Sequence, residues 1–109
     1  MYSGYLDVTD SKKLHYVFVE SKDDPETDPV LIWFNGGPGC SSLLGFLQEN
    51  GPLIFHDDGT ISLNDWSWNR KANVLYIESP AGVGYSLAGR DEDWEHNDMS
   101  QSNDAFTAL

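Results

Sequence analysis

With 109 residues the chain has room for one small domain at most, and 39% apolar with 13% aromatic residues is a globular rather than a disordered composition. Its 18 acids against 6 bases give a net charge of −12, a surface that repels phosphate backbones and anionic lipid and so excludes nucleic acid and membrane as partners. No apolar run approaches the ~20 residues of a membrane helix.

At the N-terminus, Met1 to Tyr5 shows no basic stretch followed by an apolar core. That leaves either an intracellular protein or a chain that begins after the true start. Gly4 to Val8 and Lys13 to Glu20 alternate apolar and polar side chains around Thr9-Asp10-Ser11, which predicts an antiparallel hairpin with Leu14, Tyr16 and Phe18 on one face. Ser21 to Pro29 is acidic and carries two prolines, a loop. Val30 to Phe34 is the longest apolar run and is β-prone, the pattern of a strand buried on both faces of a parallel sheet. A glycine-rich bend, Asn35-Gly36-Gly37-Pro38-Gly39, ends it. Ser41 or Ser42 can then cap a helix through Leu43, Leu44, Phe46 and Leu47, which Asn50-Gly51-Pro52 stops.

Leu53 to Asn69 reads as irregular, with a turn at Asp57-Asp58-Gly59 and Trp66-Ser67-Trp68 packed as a corner plug. Val74 to Ile77 is a second buried strand, and Ser79 to Gly84 is again rich in glycine and proline. Arg90 to Asp98 reads as solvated acidic loop and Ser100 to Leu109 as helix. Two strands that need cover on both faces, with one clear helix and the start of another, predict an α/β fold with an incomplete sheet.

The chemistry concentrates in Trp33-Phe34-Asn35-Gly36-Gly37-Pro38-Gly39-Cys40-Ser41-Ser42. A buried strand here delivers a polar side chain and a glycine bend to the carboxyl edge of the sheet, where open α/β sheets bind ligands. Glycine lets backbone N–H groups approach a ligand closely and adopt positive φ. Pro38 fixes the next φ and removes a competing donor. A rigid N–H aimed into a cleft is what an oxyanion needs, and in α/β-hydrolases one such donor comes from the loop after the third strand. The lone Cys40 is either a small buried hydrophobe or half of a bridge whose partner lies outside these residues. Gly84-Tyr85-Ser86 only loosely mimics a nucleophile elbow, because Pro80 and two glycines separate Ser86 from the strand ending near Ile77; it reads as loop. His15, His56 and His96 lack neighbouring ligands and read as surface histidines, and no metal-ligand or phosphate-loop spacing occurs.

The glycine-rich stretch resembles the serine carboxypeptidase family. Ser3-Gly4-Tyr5-Leu6, Glu49-Asn50-Gly51-Pro52, Trp66-Ser67-Trp68-Asn69, Ala72-Asn73-Val74-Leu75 and Glu78 to Ser86 resemble further family segments in order, and Asp98 with Asp104-Ala105-Phe106 resembles the helix before its nucleophile strand. The resemblance implies that residues 1–109 are the N-terminal portion of one α/β-hydrolase domain, a hairpin followed by parallel strands with helices, with an incomplete sheet. It implies an oxyanion-hole donor at the Gly37 N–H, recognition of the substrate's terminal carboxylate by Asn35 with support from Trp33 and Glu49, and a disulfide at Cys40. An acid in that position stays protonated beside a substrate anion only if its pKa is raised, which implies activity at acidic pH. The implied substrate is a peptide or protein C-terminus, with neither cofactor nor metal, in a vacuole or lysosome or outside the cell. The family's Gly-Glu-Ser-Tyr elbow and its catalytic Asp and His are not among these residues, so this portion is expected to be inactive by itself. Serine carboxypeptidase-like acyltransferases share the same motifs, and a non-catalytic interaction protein is the remaining alternative.

Overall fold

A computed structural model describes residues 1–109. The hairpin forms as the alternation predicts: β1 (Tyr2–Asp7) pairs antiparallel with β2 (Lys12–Val19). Strand β3 (Val30–Trp33) follows the acidic loop and β6 (Asn73–Ile77) lies later in the chain; the two pair in parallel, and β6 also pairs antiparallel with β2. The sheet order is β1-β2-β6-β3. Between them, β4 (Leu53–Phe55) and β5 (Ile61–Leu63) form a separate two-stranded hairpin. This replaces the irregular segment expected there, while Gly59, at φ +83°, makes the expected turn. A short β7 (Leu87–Ala88) joins β2, and helix α1 (Asp98–Ala108) closes the chain.

Both faces of β2 are covered, not one. Val17 and Val19 pack with Val74, Tyr76 and Phe46 on one side. Leu14, with Ile77 and Ala81, packs on the other. The sequence therefore hides a second apolar set at the positions read as polar-facing. Strand β6 is buried along nearly its whole length, as its composition predicts.

Strand β3 is not. Val30, Ile32 and Phe34 are 57%, 43% and 41% exposed, because β3 is the edge strand and these side chains lie on the face opposite Trp33. The segment around Phe46 covers the Trp33 face, while Ala108 of α1 packs beside Leu14 and Ile77. The apolar pattern thus records a demand for cover that these residues do not supply.

Four further segments depart from expectation. The helix after the glycine bend is one turn of π-helix, Gly45–Glu49. Trp66 is 82% exposed under the Arg70 guanidinium instead of plugging a corner, and the buried member of that motif is Ser67. Within the acidic loop, Asp91–Trp94 is a 3₁₀ turn whose Asp93 is buried; the Ser11 hydroxyl holds its carboxyl below the usual range, against the opposing effect of desolvation. Helix α1 starts two residues earlier than read, because Asn97 and Ser100 form a reciprocal cap. Its one buried side chain, Asp104, takes two hydrogen bonds from Lys12 Nζ at 2.9 and 2.7 Å, which ties α1 to the hairpin. No helix is long and apolar enough to cross a membrane.

Tyr76 sits at the centre of the larger core, edge-on to Phe46 with centroids 5.4 Å apart, and donates its hydroxyl to Asn50 Oδ1 at 2.8 Å. Burial pushes its phenol up to about 12. Below pH 10 both folded and unfolded states hold this proton. Above it the unfolded chain releases the proton first, so stability falls as pH rises from about 10 to about 12, by roughly 2–3 kcal/mol at most. Urea midpoints measured across that range should drop more steeply in the native chain than in a Tyr76→Phe variant.

Candidate active site

The carboxyl ends of β3 and β6 are tied together just before the glycine bend. The Asn35 N–H donates to Ser42 Oγ at 3.0 Å, and Ser42 donates its own proton to the Ile77 carbonyl at 2.6 Å. Ser42 is therefore a buried strut rather than a helix cap. Ser41 does accept from the Leu43 N–H at 3.2 Å, and it also donates its hydroxyl to the Glu78 carboxylate.

The strut aims the Asn35 side chain along the loop. Its Oδ1 accepts from Trp33 Nε1 at 2.7 Å and from the Gly45 N–H at 3.1 Å. Two donors on one atom fix which end of the carboxamide is oxygen. Nδ2 then donates to Glu49 Oε1 at 3.1 Å. Trp33 is braced in turn by Trp68, edge-on at 5.3 Å. Trp33, Asn35 and Glu49, named from sequence, thus form one continuous chain of hydrogen bonds. An amide nitrogen carries two protons and Nδ2 uses one inside the chain, so the other is free for an acceptor. Glu49 is exposed in the last turn of the π-helix.

Gly37 lies two residues beyond Asn35 with φ +146°, and a Cβ there would stand 3.0 Å from Cys40 N and Cys40 Sγ. Its amide is not part of the hydrogen-bonded network. The backbone N–H groups of Gly36 and Gly37 donate to nothing in their own chain, and both residues are exposed, while residues 37–39 form a turn. Pro38 and Gly39 face Pro80, Ala81 and Gly82 across a cleft of about 290 Å³. Two adjacent unused donors on one exposed bend can serve an anion or an oxyanion. Cys40 is exposed and free, which overturns its reading as a buried hydrophobe.

Gly45 has no room for a side chain, since a Cβ would fall 2.3 Å from Trp33 Nε1 and 2.9 Å from Asn35 Oδ1. A Gly45→Ala chain should lose the Trp33–Asn35 bond and about 1–3 kcal/mol of stability. The Trp33 indole N–H resonance in a proton NMR spectrum, together with the thermal midpoint, measures both.

Two residues carry more than their sequence reading allowed. His15 is buried, not at the surface, with Nδ1 2.9 Å from Glu78 Oε2 and Nε2 2.8 Å from Ser3 Oγ. Glu78 is fully buried and also accepts the Tyr85 N–H at 2.9 Å. Position was the available signal: Glu78 follows Val74 and Tyr76 at the two-residue spacing of one strand face. His56 is exposed as expected, and His96 is half-buried with Nε2 3.1 Å from the Ala81 carbonyl. Ser86 is structural, accepting the His15 N–H and donating to the Glu78 carbonyl.

A protein-family model described as serine carboxypeptidase matches residues 1–109. The chain belongs to the serine carboxypeptidase family. It is 53% identical over 109 residues to the lysosomal protective protein of Mus musculus, covering 99% of this chain and 23% of that protein. Serine carboxypeptidase 1 of Hordeum vulgare is 40% identical over 116 residues, with the same 99% and 23% coverage. A crystal structure of a prohormone-processing carboxypeptidase from Saccharomyces cerevisiae superposes with a TM-score of 0.83 at 28% identity, over 99% of this chain and 26% of that one. The chain therefore spans about a quarter of the length of these relatives, and its mixed α/β fold with a partial sheet is the N-terminal part of the serine carboxypeptidase α/β-hydrolase structure.

Proposed function

We propose that residues 1–109 supply the oxyanion and carboxylate-recognition part of a serine-type carboxypeptidase, which removes C-terminal residues from peptides through an acyl-enzyme. The observation that carries this reading is the free proton on Asn35 Nδ2, oriented by Trp33, Gly45 and Glu49, two residues from the unpaired Gly37 amide. Asn35 takes the terminal carboxylate, with Trp33 and Glu49 as its supports, and the Gly37 N–H takes the developing oxyanion. The exposed Cys40 thiol is placed to bridge to a cysteine outside these residues. The relative named for the lysosome suggests that compartment or a vacuole.

The elbow serine, aspartate and histidine of the family are not among these residues. An oxyanion donor contributes about 3–4 kcal/mol, whereas loss of nucleophile or base costs roughly 10⁶-fold. Residues 1–109 alone therefore do not perform the peptidase reaction. The test is a chimera in which they replace the matching quarter of the mouse relative. It should release the last residue of a peptide ending in a free carboxylate and act much more slowly on the C-terminal amide. A folded chimera without turnover, or one that transfers the acyl group to an alcohol in preference to water, contradicts the peptidase reading.

A further inference from the structure

Outside that site, three side chains to which the family resemblance assigns no role stand in line. We propose that Ser3, His15 and Glu78 form a second acyl-accepting centre, in which Ser3 is the nucleophile toward small aryl esters. Ser3 Oγ lies 2.8 Å from His15 Nε2, and His15 Nδ1 lies 2.9 Å from Glu78 Oε2. A nucleophile–base–carboxylate relay is recognised by geometry and roles, not by sequence position or fold.

The burial gradient suits the chemistry. Ser3 is exposed, His15 is 9% exposed and Glu78 is fully buried. Glu78 cannot swing away, because its carboxylate also accepts from the Tyr85 N–H and the Ser41 hydroxyl. A fixed carboxylate acceptor places the imidazole proton on Nδ1, which leaves Nε2 to accept the serine proton. Tyr5 and Tyr85 hold the ring edge-on, at 5.6 and 5.4 Å. His15, Tyr5 and Tyr85 share with Ser3, Gly4, Val17 and Leu43 an open cleft of about 470 Å³, whose aromatic and aliphatic walls suit an aryl group.

The step balances within these groups. The Ser3 oxygen bonds to the ester carbonyl carbon as its proton passes to His15 Nε2. The carbon–aryloxide bond breaks, and the phenol leaves with that proton. Water then adds to the acyl carbon, giving a proton to Nε2. The bond to Ser3 breaks, its oxygen recovers the proton, and the carboxylic acid departs. Ser3 sits on a strand rather than on a strained elbow, so acylation rather than fast turnover is the property to measure.

The 109-residue chain mixed with 4-nitrophenyl acetate tests this. The expected result is a nitrophenolate burst of about one equivalent, with the acetyl group on Ser3 by fragment mass spectrometry. Ser3→Ala, at an exposed position, abolishes the burst. His15→Gln slows it by about 100-fold, the usual reach of a general base, and His56→Gln leaves it unchanged. No burst in the native chain overturns the proposal, as does a burst that survives Ser3→Ala or acetylation confined to lysines and the N-terminus.

Discussion

Glu78→Ala should remove most of the stability of this chain. The carboxylate is fully buried and receives His15 Nδ1, the Tyr85 N–H and the Ser41 hydroxyl. Truncation strands all three donors, each worth about 1–3 kcal/mol when left unpaired in the interior. A domain of this length has on the order of 5–15 kcal/mol in total. Glu78→Gln should fall between, since its carboxamide keeps one acceptor oxygen but turns an NH₂ toward other donors. Urea unfolding followed by tryptophan fluorescence measures the series. An alanine variant with the native midpoint would show that the Glu78 network holds nothing together.

The second large effect concerns substrate choice. In the chimera described above, Asn35→Ala should raise KM for peptides with a free C-terminal carboxylate by about 10- to 100-fold, because a hydrogen bond to a charged group contributes roughly 1.5–3 kcal/mol. Slow cleavage of amidated peptides should change little. Trp33→Phe should act in the same direction but more weakly: it removes the indole donor that orients Asn35 Oδ1 and leaves the Gly45 N–H in place. Equal losses on acid and amide substrates would mean that Asn35 supports the loop and does not read the carboxylate.

Local patterns carried much of this molecule. The alternation in Lys13 to Glu20 placed the hairpin, the apolar runs placed β3 and β6, and the glycines with Pro38 placed the bend between β3 and the π-turn. Long-range pairing was not legible. His15 and Glu78 are 63 residues apart, and although the strand spacing of Glu78 signals its burial, nothing local to either residue names its partner. Strands β4 and β5 have three residues each, too few for an alternation to emerge. At the site, residue types alone did not link Trp33, Asn35 and Glu49; the family resemblance did. The hydrogen-bond directions that leave one Asn35 proton free come only from the fold. The exposure of Val30, Ile32 and Phe34 runs opposite to their sequence reading, since hydrophobicity records what a strand needs and not what covers it.

The central claim is that the Gly37 amide and the Asn35 side chain face the same bound peptide end. A crystal structure of the chimera inhibited by a phosphonate analogue of a C-terminal dipeptide tests it directly. The account predicts the phosphonyl oxygen about 2.7–3.1 Å from Gly37 N and the terminal carboxylate within about 3.2 Å of Asn35 Nδ2. A bound analogue whose phosphonyl oxygen avoids the glycine bend, with the Gly37 N–H bonded to its own chain instead, contradicts it.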